Sequence, residues 1–430
     1  MQIKSKLKNA FKKDTYKNVF ILFSGFSIAQ AIPLLATLVL TRVFTKEQFG
    51  IFFIYSSLCM ILSTFISLKL ELAIVLPNKK DEGRTLFITS LLTSLIISGI
   101  VFLVILLLFD PITNILGDKN IGGLLYVLPL SLLFLGIVQA CSYWLNRNNN
   151  FKDISIINVS KSLTSSIVQI SLGLFSFLKF GLIIGLISGQ FISAIYGIYS
   201  SFKEKITKTK HSSLKRVFDL ISRYKKIPIY NTSIAVSNTL SNHLPIFLLT
   251  SYYSLEMTAL YGLAHRIIAT PMGLVSQSVG QVLYNEASKR HNSGVNLKSL
   301  IISTYKKLAK LAIIPTIFIL AFAPFIFGLL FGQEWKLAGT FTQLLIPWLF
   351  FMFLNSPMTY IITILNKQNQ LLIYDISLLA FRFLSLFVGY KFFGSITYSI
   401  LLFSLTGVLF NIFLMVYILK ISNTQAIEKD

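Results

Sequence analysis

The sequence predicts an all-α integral membrane protein with nearly the whole chain in the bilayer. Of its 430 residues, 54% are hydrophobic and 13% are charged, and the mean hydropathy is +0.72. Soluble domains carry about a quarter charged residues and cannot keep so much apolar surface out of water. Apolar runs of about 18 or more residues, the length that crosses the hydrocarbon layer as a helix, recur along the chain.

The apolar runs predict twelve transmembrane helices. They lie at about 19–40, 51–76, 86–109, 121–144, 154–178, 181–200, 228–250, 258–284, 308–331, 339–365, 371–390 and 395–419. The first span contains Ala29-Gln30-Ala31, which mimics a signal-peptidase site. Because its apolar run continues to Leu40, we expect a transmembrane helix there rather than a cleaved signal peptide. An even number of spans puts both termini on one side of the membrane.

The distribution of positive charge predicts which side that is. The chain has 39 Lys and Arg against 16 Asp and Glu, a net charge of +23. Segments on the side of the termini hold 28 of the cations, the opposite loops hold 6, and five lie inside predicted spans. Positive residues mark the cytoplasmic face, so both termini are predicted to be cytoplasmic. The charge suits anionic membrane lipids, whereas no segment is long or polar enough to form a nucleic-acid-binding domain.

The longest connection, 201–227, is a basic cytoplasmic linker that divides the chain into two groups of six spans. We therefore predict an N-terminal six-helix bundle at 1–200, with a basic N-terminus, and a C-terminal six-helix bundle at 228–430. A weak internal repeat supports the division, because LTRVFTKEQFGIF (40–52) aligns with LTSYYSLEMTALY (249–261). With an even number of spans in each half, the two halves run in the same direction.

The sequence contains no recognisable catalytic motif. It lacks a Walker phosphate loop, an H-E-x-x-H sequence, a G-x-S-x-G elbow and a Cys/His metal pattern. Cys59 and Cys141 lie within apolar runs and are expected to be small buried side chains. We therefore expect a transporter rather than an enzyme, with no cofactor and no bound metal. Whether Na⁺ or H⁺ drives it is left open.

Four cations inside the predicted spans are the candidate functional residues: Lys69, Lys161, Arg266 and Arg382. A fifth, Lys310, is close enough to a helix end to reach the headgroups. A charge in the hydrocarbon layer costs several kcal/mol unless it faces water or a partner, so such residues indicate function. Ammonium and guanidinium groups bind phosphate oxygens. We therefore predict that these four cations line a chamber for an anionic substrate.

Structural ion pairs are the alternative for several of these cations. Lys69 and Glu71 are two residues apart, so on one helix they would not share a face and a mutual salt bridge is not expected. Asp375 and Arg382 are two turns apart, so each is expected to find partners on another helix. For Arg266 we favour a substrate-facing role, and for Arg382 both roles stay open. Glu71 and Asp375 are the candidate coupling or ion-pair carboxylates.

Lys161 lies on the most polar of the predicted spans. Ser162, Ser165, Ser166 and Gln169 follow it at a spacing of three to four residues, which forms a polar stripe on one helix face. Such a stripe cannot face lipid and must face either the bundle interior or a water-filled cavity. We favour the cavity.

Two parts of the sequence carry a resemblance to a known family. KNVFILFSGFSIAQAIPLLATLVLTRVFTKEQFGIF, followed by LKLELAIVLPNKKDEG, resembles the opening of bacterial oligosaccharide flippases of the Wzx type. VSQSVGQVLYNEASKR is similar to the end of their eighth helix and the cytoplasmic turn after it. The resemblance implies two six-helix bundles like those of multidrug and toxin extruders and lipid II flippases.

The resemblance also implies a function and its site. Flippases of this type move an undecaprenyl-diphosphate-linked oligosaccharide, such as an O-antigen or capsule repeat unit, across the bacterial cytoplasmic membrane by alternating access. A cationic central cavity would hold the sugar-pyrophosphate headgroup, which on this chain implicates Lys69, Lys161, Arg266 and Arg382. Other surface-polysaccharide assembly proteins are the implied partners.

Three other functions compete with this one. A drug or cation antiporter of the same fold is disfavoured because its cavity should be acidic. A membrane polymerase or ligase for surface polysaccharide would need a water-exposed domain that the short outer loops do not provide. A non-transporting scaffold of an envelope assembly complex would leave the cations inside the spans unexplained.

Overall fold

A computed structural model of the protein describes residues 2–116, 122–175, 180–203, 214–224 and 226–422. Within these ranges the chain forms helices joined by turns, and no strand occurs. The N-terminal helices are α1 (Gln2–Val43), α2 (Lys46–Ser63), α3 (Lys80–Leu107), α4 (Phe109–Leu116), α5 (Gly122–Leu125), α6 (Leu128–Arg147), α7 (Phe151–Leu174), α8 (Gly181–Lys203) and α9 (Leu214–Tyr224). The C-terminal ones are α10 (Lys226–Tyr252), α11 (Leu255–Asn292), α12 (Lys298–Phe331), α13 (Lys336–Asn355), α14 (Thr359–Ile364), α15 (Gln368–Phe393) and α16 (Ile396–Ile421).

The chain is a multi-pass membrane protein. In the ranges given above, eight stretches are long and apolar enough to cross a bilayer, and each coincides with a predicted span. The other four predicted spans correspond to α2, α7, α10 and α11, which are helices of 18, 24, 27 and 38 residues with a more polar composition. The all-α membrane fold is thus confirmed, and the count of twelve spans stays a prediction.

The chain divides into two units, residues 1–239 and 240–430. The division falls inside α10. The predicted linker at 201–227 contains α9, and its residues 204–213 and 225 lie outside the part of the chain that the structure describes.

The second predicted span, 51–76, is wrong beyond Ser63. The Ser63 hydroxyl donates to the Met60 carbonyl at 2.9 Å and the Thr64 hydroxyl to the Ile61 carbonyl at 2.6 Å. Such side-chain bonds to the preceding turn compete with helix continuation. Turns then carry the chain through Leu68 and Lys69, both with positive φ, into a short 3-10 helix at Leu70–Val75.

The two copies of the weak repeat start a helix in the same way. Thr45 is the N-cap of α2 and its side chain accepts from the Gln48 backbone N–H at 3.3 Å. At the matching position, Ser254 is the N-cap of α11 and accepts from the Met257 N–H at 3.2 Å. Since an N-cap hydroxyl satisfies a helix donor that would otherwise lack a partner, the matched residues have the same structural role.

Helices α7 and α8 pack closely because glycines of α8 face α7. A Cβ on Gly185 would overlap the Gln169 side chain, and a Cβ on Gly189 would overlap the Lys161 backbone carbonyl. Small residues four apart allow membrane helices to approach in this way. The backbone of Lys161 is therefore fixed by α8, which places its side chain on a rigid element.

We expect Gly189→Leu to separate α7 from α8 and destabilise the N-terminal unit by about 1–3 kcal/mol, the usual cost of overpacking a tight contact. Thermal denaturation of the purified protein and its level in membranes would measure the effect. Gly99→Leu is the matched control, because a Cβ on Gly99 of α3 meets nothing within 4 Å. Equal stability of the two variants would contradict the packing assigned to Gly189.

Candidate substrate-binding site

Lys69 and Glu71 form an ion pair, which corrects the sequence prediction. The Lys69 ammonium lies 3.8 Å from Glu71 Oε1, and the Ser67 hydroxyl donates to Glu71 Oε2. The prediction assumed a continuous helix, whereas Lys69 adopts a left-handed conformation with φ 57° between α2 and the 3-10 helix. The Glu71 side chain is 2% exposed and that of Lys69 is 21% exposed, so the carboxylate is buried and the ammonium is partly accessible.

Arg147, at the end of α6, fixes the segment that follows this ion pair. Its guanidinium donates to the carbonyls of Ile74 at 2.9 Å, Pro77 at 2.6 Å and Lys79 at 3.1 Å. Gly83 of α3 leaves room for it, because a Cβ there would lie 2.6 Å from Arg147 Nε. From the sequence, Arg147 is only one of the cations in the predicted cytoplasmic segments. No periodicity or motif links it to a segment about 70 residues earlier.

We expect Arg147→Ala to loosen residues 74–79, because three carbonyls lose a charged donor and such bonds contribute about 1.5–3 kcal/mol. Limited trypsin digestion would measure the change as faster cleavage after Lys79. Lys152→Ala, at an exposed position on the adjoining turn of α7, is the control and should leave cleavage unchanged. Identical digestion of the two variants would show that Arg147 does not hold the segment.

Lys161 is half-buried in α7 among neutral groups. The buried Cys59 thiol of α2 interacts electrostatically with Lys161. The hydroxyls of Tyr55 and Ser131 lie 2.8 Å apart. No carboxylate in the described part of the chain forms a salt bridge with Lys161. Its charge is therefore not balanced by a salt bridge within the described residues.

The polar stripe after Lys161 has a structural role over much of its length. The Gln169 amide donates to the Leu182 carbonyl of α8 at 2.7 Å, and Ser165 packs against Gly189. Both side chains are buried. The prediction that they line a water-filled cavity is wrong, because the glycines of α8 bring its backbone against this face.

Arg382 of α15 is 2% exposed and is bound to other helices of the C-terminal unit. Its Nη1 donates to the Ser241 hydroxyl at 2.8 Å, the Ser241 carbonyl at 3.2 Å and Asn242 Oδ1 at 3.2 Å. Its guanidinium carbon lies 4.6 Å from the Trp348 ring centre and 4.9 Å from that of Phe403. Arg382 thus finds its partners across helices, as expected from its distance to Asp375 along α15.

An aromatic stack continues from this cation towards α11. The His265 ring is nearly parallel to that of Trp348, at 5.7 Å between centres, and to that of Tyr261, at 6.1 Å. Arg266, the next residue, is half-buried and has interactions within the protein. Asp375 is also buried and partnered.

The structure brings together only some of the predicted site residues. Lys69 and Glu71 contact each other in the N-terminal unit, where Lys161 stands on a separate helix. Arg266, Arg382 and Asp375 belong to the C-terminal unit. In the residues that the structure describes, no group of three or more His, Cys, Asp and Glu is arranged to hold a metal ion.

The helices and their apolar composition together define a multi-pass membrane protein. The chain is similar to an inward-facing multidrug resistance MATE family transporter of the MOP superfamily, with TM-score 0.68, 13% identity and coverage of 95% of this chain and 96% of that chain. It is likewise similar to the lipid II flippase MurJ in an inward closed conformation, with TM-score 0.70, 16% identity and coverage of 94% and 90%. A MOP superfamily transporter from Pyrococcus furiosus, whose binding pocket is described as having reverse polarity, gives TM-score 0.61, 14% identity and coverage of 94% and 96%.

The sequence identifies the family more narrowly. The sequence profile described as "Polysaccharide biosynthesis protein" matches residues 39–339, and the chain belongs to that family. A search of curated proteins finds no sequence relative.

Proposed function

We propose that the protein is a Wzx-type flippase of the bacterial cytoplasmic membrane. It would move an undecaprenyl-diphosphate-linked oligosaccharide, such as an O-antigen or capsule repeat unit, from the cytoplasmic to the outer leaflet. The family and the transporter fold support the general class. The observation that carries the substrate class is Lys161, a cation on a polar helix at membrane depth with no carboxylate partner in the described residues.

The charges of the predicted spans favour an anionic headgroup over a cationic drug. The negative charge of Glu71 is balanced by Lys69, and its carboxylate also accepts a hydrogen bond from Ser67. Lys161 and Arg266 then provide positive groups for a diphosphate, whose oxygens accept strong charge-assisted hydrogen bonds. The cation or drug antiporter is disfavoured on the same ground, because its substrate would be repelled.

Moving a diphosphate and several sugars through hydrocarbon unaided would strand many hydrogen-bonding groups, so the barrier is high without a protein. We propose alternating access through a wet cationic cavity that holds the headgroup while the polyprenyl chain stays in lipid. Both termini would be cytoplasmic, and other surface-polysaccharide assembly proteins would supply and remove the substrate. If Na⁺ or H⁺ drives transport, Glu71 and Asp375 are the candidate coupling carboxylates, and coupling at Glu71 would require its ion pair with Lys69 to open.

A reconstituted assay tests this function. Liposomes containing the purified protein and a fluorescent undecaprenyl-diphosphate-linked oligosaccharide are treated with an impermeant glycosidase, and the protected fraction is followed. We expect the protected fraction to become accessible with the protein and to stay protected in protein-free liposomes. Transport of an organic cation with no movement of the lipid-linked sugar would instead establish the antiporter.

A further inference from the structure

An apolar groove of about 570 Å³ lies on the C-terminal unit along α15 and α16. The two helices form an antiparallel pair, so the start of α15 lies beside the end of α16, and Gln370 and Tyr417 both line that end of the groove. Ser377 and Leu409 line the other end. None of the six candidate site residues, the four cations and the two carboxylates, lines it.

The groove has an aromatic floor and an open, apolar rim. The rings of Tyr374 and Phe410 pack at 5.7 Å between centres and form the floor. Leu409 and Phe413 stand at the rim with 67% and 64% of their surface exposed. In a membrane-spanning pair of helices such a face is covered by lipid, and its concave shape suits a single apolar chain.

The length of the groove matches one leaflet of the bilayer. From Leu409 to Tyr417 the helix rises about 12 Å at 1.5 Å per residue. Half of a hydrocarbon core of about 30 Å is about 15 Å, the depth covered by an acyl chain. A polyprenyl chain long enough to carry the proposed substrate would extend well past the groove, so an acyl chain is the better fit.

Two cations stand at the end of the groove that faces the predicted cytoplasm. Lys420 follows Tyr417 by three residues within α16 and so shares a helix face with it, whereas Lys367 is the N-cap residue of α15, three residues before Gln370. Both lysines are exposed, and neither forms a salt bridge within the described ranges. A lipid phosphate at the headgroup level would meet both charges.

We propose that this groove is a binding site for an anionic phospholipid. One acyl chain lies on Tyr374 and Phe410, and the phosphate contacts Lys367 and Lys420. The site lies apart from the residues that we assign to the transported headgroup. The protein would therefore recognise a membrane lipid as well as its substrate.

Native mass spectrometry of the purified full-length protein tests the site with phosphatidylglycerol and phosphatidylcholine of identical acyl chains. Each lysine near an anionic headgroup contributes about fivefold in affinity, so Lys367→Gln with Lys420→Gln should weaken phosphatidylglycerol binding about 30-fold. Phosphatidylcholine, whose choline group offsets the phosphate charge, should lose much less affinity than phosphatidylglycerol in this double variant. Lys391→Gln, at the opposite end of α15, is the matched control and should have no effect.

Filling the groove tests the apolar half of the site. Ser377→Phe should remove binding of both lipids. If this variant does not reach the membrane, Leu409→Trp, at the exposed rim, is the second variant that fills the groove. Equal affinity of the wild type for the two lipids would overturn the proposal, as would wild-type binding in the filled variant. Displacement of phosphatidylglycerol by an equimolar polyprenyl phosphate would assign the groove to the substrate's tail instead.

Discussion

Lys161→Ala is expected to remove most export of surface polysaccharide while the protein stays at its normal level in the membrane. A hydrogen bond from a charged donor contributes about 1.5–3 kcal/mol, which corresponds to about 10- to 150-fold in affinity for the diphosphate, and to the same factor in export when the lipid-linked sugar is below saturation. The variant should fold, because the position is held through its backbone by α8 and the side chain forms no salt bridge within the described residues. Export measured against membrane protein level gives the result.

Matched variants separate charge from packing at this position. Lys161→Arg keeps the positive charge and should retain more export than Lys161→Ala, whereas Lys152→Ala on the same helix should behave as wild type. Arg266→Ala should also lower export at a normal protein level. Wild-type export in both Lys161→Ala and Arg266→Ala would refute the assignment of these residues to the substrate.

Arg382→Ala is expected to destabilise the C-terminal unit by about 2–4 kcal/mol, since hydrogen bonds from a charged donor and desolvated cation–π contacts each contribute about 2 kcal/mol. The guanidinium connects α15 to α10 through Ser241 and packs on Trp348 and Phe403, which lie on α13 and α16. Its removal therefore affects four helices at once. A lower melting temperature and a lower membrane level are the expected readouts.

The comparison with Arg382→Lys sharpens this prediction. An ammonium retains the charge but lacks the planar fork that donates to Ser241 while stacking on Trp348, so it should recover only part of the stability. Ser241→Ala should cost less than Arg382→Ala, because it removes one acceptor and keeps the ring contacts. A normal melting temperature combined with lost transport would contradict this view and place Arg382 in contact with the substrate.

Hydropathy predicted the membrane fold because each long helix that faces lipid must be apolar. Helices such as α12 and α16 meet that condition along their whole length, and their predicted spans coincide with the structure. Helices α7 and α11 do so less clearly because they carry Lys161 and Arg266 among polar residues. The same polar residues that identify a candidate site therefore make its helices the hardest to place from composition.

Contacts that depend on irregular backbone, or that join residues distant in sequence, could not be predicted. The Lys69–Glu71 pair depends on a left-handed residue after α2, and residues other than glycine seldom adopt that conformation. The role of Arg147 depends on three backbone carbonyls about 70 residues away. The buried bond from Tyr305 to Asn355, with Asn355 bonded to Asn411, likewise joins three helices without any sequence motif.

Gln169 shows a further limit of sequence patterns. A polar stripe at helical spacing indicates that one face avoids lipid, but it does not distinguish water from a neighbouring helix. Here the face contacts a helix, because Gly185 allows α8 to approach closely enough for the Gln169 amide to donate to the Leu182 carbonyl. The glycines of α8 were the available signal for helix contact, at a spacing of four residues.

The accessibility of position 161 tests the account most directly. Both native cysteines are first removed by Cys59→Ala and Cys141→Ala. Lys161→Cys in this background is then treated with a water-soluble thiol reagent. Ile167→Cys, on the exposed face of the same helix, is the control. We expect position 161 to react, because water reaches it, while position 167 stays unreactive. A thiol at 161 that is as unreactive as one at 167 would contradict a wet cationic site at Lys161.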